Sequence, residues 1–506
     1  MGKTTGCFTC LLVVGVVLAV VGAVMFPVVQ YLIHSEVVQQ TMLENGTMGY
    51  DLWQDPPADV SMQFWVWNLT NPAEVKKGKK PFLVQRGPYT YREYMPKQNI
   101  TPNNNGTVSY VTEKSYVLDL NNSIGDPLKD RFTTINIPLM TFAHKITVMD
   151  LPGFLKTLLL DLLRIEDAFP SHTVHEMIWG YPDALVKLAY DNGLAPFPEF
   201  GVFVNRNNSN DGVFNVYSGV NQENTDKINH ITRWKGQSEL SFWSTEESNM
   251  INGTDGSYNQ PFFDKKKPLY VFSSDICRSI IAVYEKETSV RDMPTWRYVG
   301  PPEAFANATA YPPNVGFCTP NASYCLPSGL LNVSNCQFGA PIVMSLPHFL
   351  YCDPKEVIDL VNGLTPNKEE HQTFFDVEPM TGGPLNVAKR LQINVVIQPY
   401  ENIPDISKVA KFFLPIIWLN ESAHITVDGA NELKSNVETP ILLTTIGKWS
   451  VLGFGGLLVI LSIIVLTALW IQKPQDSQVD NSINDGDIST ATPNGNPIGE
   501  RSQLIP

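Results

Sequence analysis

The sequence predicts an α+β protein fastened to a membrane by two helices, with a large strand-dominated domain between them. Three observations carry that expectation. Two long segments near the ends are free of charge. Between them, runs rich in Val, Ile, Tyr, Phe and Trp alternate with Asn, Gly and Pro clusters, and one stretch keeps helical periodicity. The chain has 506 residues, 43% hydrophobic and 17% charged, so it can build a packed core and is not a disordered polyampholyte. Its formal net charge is −14 and its longest basic run is Lys265-Lys266-Lys267. That argues against a nucleic-acid partner, because neutralising phosphates needs clustered cations.

The first element runs from Thr4 to Ile33 without Asp, Glu, Lys or Arg, and its centre is the apolar run Leu11–Val21. About 20 apolar residues cross about 30 Å of hydrocarbon, so the segment predicts a transmembrane helix. A cleaved signal peptide is the competing reading, because small residues occur at Ala19–Ala23. The apolar part of such peptides is only about 7–15 residues, which disfavours it. The second charge-free segment, Trp449–Gln472, is flanked by Lys448 and Lys473 and predicts the second span. The expected division is a cytosolic stub (1–6), a first span (7–33), an ectodomain (34–447), a second span (448–472) and a cytosolic tail (473–506).

Lysine placement orients the chain poorly, but Asn-x-Ser/Thr acceptors do better. They begin at Asn45, Asn68, Asn99, Asn105, Asn121, Asn207, Asn252, Asn307, Asn321, Asn332 and Asn420, all between the spans. The pattern predicts a glycosylated lumenal or extracellular domain of 414 residues. Cys7 and Cys10 stand at the cytosolic edge of the first span, where S-palmitoylation competes with two ordinary thiols. N-myristoylation is excluded by Gly6, which stands where Ser or Thr is needed. Cys277, Cys318, Cys325, Cys336 and Cys352 fall in the oxidising compartment, so two bridges and one leftover thiol are expected. No Cys-x-x-Cys spacing supports zinc.

Within the ectodomain, strands are predicted at Gln63–Leu69, Thr107–Leu118, Val213–Ser218, Leu269–Phe272, Ile280–Glu285 and Leu391–Gln398. Helices are predicted at Leu151–Ile165 and Ser171–Tyr190, the second capped by Ser171. Pro474–Pro506 is rich in Asn, Ser, Gly and Asp, a disordered composition. Gly453 to Gly456, inside the second span, suggests helix packing rather than a nucleotide loop. No hydrolase elbow, zinc-protease or phosphate-loop motif occurs, and nothing points to an enzyme or a cofactor. His172, His175 and Glu176 share a helical face, yet without a further ligand a hydrogen-bonded helix start outweighs a metal.

Residue strings then become specific. Arg86-Gly87-Pro88-Tyr89-Thr90-Tyr91-Arg92, Trp179-Gly180-Tyr181, Asn249-Met250-Ile251-Asn252-Gly253-Thr254, Ser274-Asp275-Ile276-Cys277-Arg278-Ser279, Pro347-His348-Phe349 and Ala388-Lys389-Arg390-Leu391-Gln392-Ile393-Asn394 follow in this order. Together they resemble the class B scavenger receptor family over nearly the whole chain. That resemblance implies an antiparallel β-barrel-like ectodomain with a helical apex bundle and an internal apolar tunnel. Ligands dock on the apex helix, here Leu151–Phe169 with Leu151, Phe154, Leu155, Leu158, Leu159 and Leu162 as contact residues. The implied ligands are cholesterol, phospholipid, fatty acids and lipoproteins.

The resemblance also implies bridges Cys277–Cys336 and Cys318–Cys325 and a buried free thiol at Cys352. A third family bridge maps onto Ser248 and Gly316, so it is expected to be missing, as in the family's lysosomal branch. The tail supports that branch: Glu500-Arg501-Ser502-Gln503-Leu504-Ile505 fits an acidic dileucine signal read by clathrin adaptor complexes, with Glu500, Leu504 and Ile505 as its determinants. The lysosomal member also carries β-glucocerebrosidase and releases it in acid through an apical histidine. The matching neighbourhood here holds Met149-Asp150-Leu151, leaving His144, His172 and His175 as the nearby imidazoles. The expected role is therefore a lysosomal or late endosomal scavenger-type receptor that binds lipid or protein cargo and conducts lipid. The alternative is a plasma-membrane receptor for lipoproteins and long-chain fatty acids.

Overall fold

The computed structural model describes residues 2–220 and 223–472. The tail from 473 onward, with Glu500, Leu504 and Ile505, lies outside them. The chain divides into two compact units, one comprising residues 1–26 and 446–506, the other residues 27–445. The first predicted span lies inside the helix Gly2–Gln40 and the second, up to its penultimate residue, inside Thr439–Ile471; the two helices are long and apolar enough to cross a membrane. In the first unit these helices pack through small residues. A Cβ on Gly15 would stand 2.9 Å from Leu458, and one on Gly22 would stand 2.8 Å from the Leu452 backbone. Gly455 meets Ala19 in the same way, whereas Gly453 and Gly456 face open space.

The second unit is built on one 15-stranded sheet. Its main path, every neighbour antiparallel, is Ile231–Trp234, Phe214–Tyr217, Thr107–Asp119, Leu83–Tyr94, Ala58–Leu69, Phe412–Ile425, Pro384–Ile397, Phe374–Val377, Met293–Val299, Arg278–Val290 and Leu269–Ser273. Alternation places Met62, Phe64 and Val66 inside, and a bulge after Phe64 lets Trp67 and Leu69 join them. Phe412–Ile425 differs. Its first nine residues are all buried, so this central strand is covered on both faces and reads as a continuous apolar run. Trp65 and Trp418 stack at 3.8 Å across the pair.

The two terminal strands of this path are joined through Gly253 and Thr254. Ile231 N–H donates to Gly253 O, Thr254 N–H to Tyr270 O and Phe272 N–H to Thr254 O. The sheet therefore closes into a barrel. Gly253 is required at the junction: its φ is +76°, and a Cβ there would collide with the Tyr270 backbone.

Helices Ile137–Val148, Gly153–Leu162, Val174–Trp179 and Ala184–Asp191 form a cluster, with Leu139, Ala143, Met177 and Ile178 in the main core. The single helix expected over Ser171–Tyr190, with a Ser171 cap, is corrected here. Ser171–Thr173 is a short strand paired to Arg131–Thr133. Thr173 is the true cap: Glu176 N–H donates to its Oγ1 at 3.1 Å, and Thr173 N–H donates to Glu176 Oε2 at 2.7 Å. Gly180, at φ +131°, turns the chain, and Tyr181–Pro182 pairs with Glu199–Phe200 before Asp183 caps the last helix. Helical periodicity cannot register this break, because the Gly and Pro that impose it sit between apolar residues of the right spacing.

Disulfides join Cys277 to Cys336 and Cys318 to Cys325. Cys352 is a buried free thiol whose pKa burial pushes up, and Cys7 and Cys10 are exposed. Ser248 and Gly316 are spatial neighbours; a Cβ on Gly316 would stand 2.8 Å from Ser248 Cβ. The double substitution Ser248→Cys, Gly316→Cys should therefore close a third bridge. It is expected to raise the unfolding free energy by up to about 4 kcal/mol for a loop of this length. Mass spectrometry before and after reduction, with unfolding midpoints in each state, checks both halves of that statement.

Candidate functional site: an exposed apolar helix and a charged partition in the barrel

Helix Gly153–Leu162 has one face on the core and one in solvent. Leu159 and Leu160 pack against the core, and Leu163, just past its end, is buried. On the other face Phe154, Leu158, Leu162 and Ile165 are 77%, 54%, 63% and 90% exposed. Their spacing of four, four and three residues makes a continuous stripe. Val148 and Met149 extend it. Of the six predicted contact residues, Phe154, Leu158 and Leu162 thus face outward, whereas Leu151, Leu155 and Leu159 are half-buried. Lys156 ties the helix to its neighbour by donating to Thr147 O at 3.0 Å. Burial holds the nearby His144 and His172 imidazoles below their ordinary range; His172 stacks on Tyr181 at 3.9 Å. No cluster of metal-ligating side chains occurs among the described residues.

Inside the barrel lies a cavity of about 210 Å³. Val60, Met95, Phe214, Val271, Phe375 and Leu385 supply much of its apolar wall. Lys114, Asp211, Asp275 and Glu421 also line it, and the same four line a second, much smaller cavity with Tyr116 and Phe203. These charged residues therefore form a partition between the two spaces. Strand alternation puts Lys114 there, since Val108, Tyr110 and Tyr116 are buried at its parity.

The pairing within the partition is uneven. Lys389 donates to Asp275 at 2.8 Å and to Glu421 at 2.9 Å, and Arg206 to Asp211 at 2.6 Å. Lys114 is only near its carboxylates, 3.7 Å from Asp211 and 3.9 Å from Glu93. Burial, reinforced by Glu421, holds the Glu93 carboxyl up at about 8, well above the ordinary carboxylate range. Its Oε1 accepts from Tyr116 at 3.1 Å. Burial alone would lower the Lys114 and Lys389 pKa values, but the surrounding carboxylates push both above the ordinary range. From sequence, Asp275 and Lys389 entered only as members of the family strings, and Glu93, Lys114, Arg206, Asp211 and Glu421 were not singled out. The available signal was a charged residue at an inward-facing strand position, as at Lys114.

Asn45, Asn99, Asn105, Asn121, Asn207 and Asn321 are exposed. Asn420 is corrected: it is buried in the ladder between two strands, with Nδ2 donating to Gln63 Oε1 at 3.1 Å. A glycan cannot be carried there without opening the sheet.

A closed antiparallel barrel with an apolar exposed helix, attached to two apolar helices, defines an integral membrane protein built around an ectodomain. The family model described as CD36 family matches residues 13–466, and the chain belongs to that family of scavenger-type receptors. The chain is similar to lysosome membrane protein 2 of Rattus norvegicus, 39% identical over 446 residues covering 88% of this chain and 90% of that protein. Its similarity to the Homo sapiens protein of the same name is 38% over 446 residues, with the same coverage. Scavenger receptor class B member 1 of Rattus norvegicus is 35% identical over 460 residues, 89% of this chain and 88% of that protein.

Proposed function

We propose that the protein is a receptor of lysosomal and late endosomal membranes. In this reading it takes lipid or protein cargo on the exposed helix and conducts sterol or phospholipid through the barrel. The observation that carries the reading is the stripe Phe154, Leu158, Leu162 and Ile165. Apolar side chains held outward on an ordered helix cost solvation and mark a docking surface. The similarity to lysosome membrane protein 2 supports the compartment, and β-glucocerebrosidase is one candidate protein cargo. The same family membership supports receptor rather than catalytic chemistry.

The substitution pair Leu158→Asp, Leu162→Asp is expected to weaken cargo capture by about 100-fold, as loss of two central apolar anchors does, while leaving the unfolding midpoint unchanged. Surface plasmon resonance against lipoprotein and β-glucocerebrosidase reads this, and undiminished binding of both would remove the helix from the recognition surface. Sorting is assigned to Glu500, Leu504 and Ile505 through clathrin adaptors. Changing Leu504 and Ile505 to alanine should move the protein to the cell surface. The second reading, a plasma-membrane receptor for lipoproteins and fatty acids, is favoured by the 35% identity to scavenger receptor class B member 1. It prevails if the native protein is already at the surface and those alanines leave it there.

A further inference from the structure

The partition inside the barrel has a cation that the protein itself does not close. Lys389 is held by Asp275 and Glu421, and Arg206 by Asp211. Lys114 has those same carboxylates and Glu93 around it, yet its nearest oxygens, at 3.7 and 3.9 Å, lie beyond hydrogen-bond reach. No protein acceptor for its ammonium occurs among the described residues. The residue lines both cavities. An ammonium in such a place needs an oxygen acceptor.

Which acceptor is decided by the charges around it. Lys114, Lys389 and Arg206 face Asp211, Asp275 and Glu421, three against three, with the Glu93 carboxyl pushed toward its neutral form by burial. An entering anion would leave one negative charge unmatched in a confined site, which is costly. A hydroxyl disturbs nothing. Its oxygen accepts from Lys114, and its own proton has carboxylate oxygens of Asp211 and Glu421 to go to. The cavity, about 210 Å³, is below the roughly 300–1,000 Å³ of drug-sized pockets, which suits one slender guest rather than a two-chain lipid lying folded.

We propose that this partition is the polar station of the barrel, where Lys114 binds the oxygen of an uncharged, hydroxyl-bearing lipid and the neighbouring carboxylates turn a chain-bearing carboxylate away. The inference rests on the lipid-conduit reading above and specifies its selectivity. The full-length protein in phospholipid nanodiscs is titrated at pH 7 with parinaryl alcohol and parinaric acid, which share one fluorescent chain and differ only at the head. Dehydroergosterol is titrated in parallel.

The native protein is expected to bind the alcohol at least about tenfold tighter than the acid, the worth of one hydrogen bond to a charged group. Lys114→Met should weaken the alcohol by a similar factor, and Glu421→Gln should tighten the acid. Equal affinity for the two heads in the native protein overturns the proposal without recourse to any variant. So does a folded Lys114→Met protein that binds the alcohol within about twofold of native. Sterol binding that persists alongside either result leaves the conduit standing and removes only the selectivity. If neither the sterol nor the alcohol binds the native protein, the conduit reading and this inference fall together.

Discussion

Replacing Lys389 by methionine is expected to lower the unfolding free energy by about 3–5 kcal/mol, the usual effect of stranding a buried partner. The lysine stands between two carboxylates contributed by different parts of the barrel wall, at 2.8 Å from Asp275 and 2.9 Å from Glu421. Methionine fills the same volume but leaves two carboxylates facing each other across a desolvated gap. One of them must then take a proton or open the wall. Asp275 retains 34% of its side-chain surface toward the cavity, which places the expected value at the lower end of that range. Denaturant unfolding followed by tryptophan fluorescence measures it, and a loss below about 1 kcal/mol would show the cluster to be hydrated rather than buried. Adding Glu421→Leu and Asp275→Asn to the methionine variant should restore part of the loss, because the two carboxylates that Lys389 had paired are then no longer left as buried unpaired charges, while Lys114, Arg206 and Asp211 remain.

Acid should loosen the barrel through a second buried group, the ring pair His348 and His371. The two imidazoles stack at 4.2 Å. His348 Nδ1 accepts from Thr365 N–H at 3.0 Å, and its Nε2 lies 2.7 Å from Gln85 Oε1, an acceptor, so the proton sits on Nε2. His371 Nδ1 accepts from Asn367 N–H at 2.9 Å. Protonating either Nδ1 sets one donor against another. Burial is the larger cause holding His348 down at about 3, with His371 adding to it; burial, then Arg390, holds His371 at about 4. In the unfolded chain both titrate near 6.5, so between that value and 3–4 the unfolded state binds more protons and stability falls as pH falls.

From pH 6.5 to 5 the expected loss is about 2 kcal/mol for each ring. Unfolding midpoints across pH 7.5 to 4.5 should therefore drop steeply, and His371→Phe should flatten about half of the slope. A flat profile in the native protein would show that neither ring stays neutral in the folded state. The segment is also strained: His348, Phe349 and Tyr351 have φ of 54°, 57° and 67°, three left-handed positions without glycine that only full packing sustains.

Much of the fold was legible where local pattern and tertiary role coincide. Gln63–Leu69 and Thr107–Leu118 were read from their apolar, strand-forming pattern, and the structure extends them to Ala58–Leu69 and Thr107–Asp119. Phe412–Ile425, the 14-residue strand at the centre of the sheet, went unread for the opposite reason. Covered on both faces it has no alternation, and Pro415 argues against a central strand; the structure seats that proline at a register shift opposite Ile393 and Asn394. Leu83–Tyr94 was recognised only as a family string, since Gly87 and Pro88 interrupt its strand signal. The exposed helix was located by its leucines, but which of them face out depends on what Leu159, Leu160 and Leu163 find to pack against. The partition was invisible because Lys114 and Glu421 are far apart in the chain, and only barrel closure brings them to one place.

That closure has one further effect. A ladder that ends unfinished offers its open peptide groups to any neighbouring chain that could add a strand. Gly253 and Thr254 occupy both loose ends of the main ladder at once, so a second copy finds no row of open peptide groups there to copy.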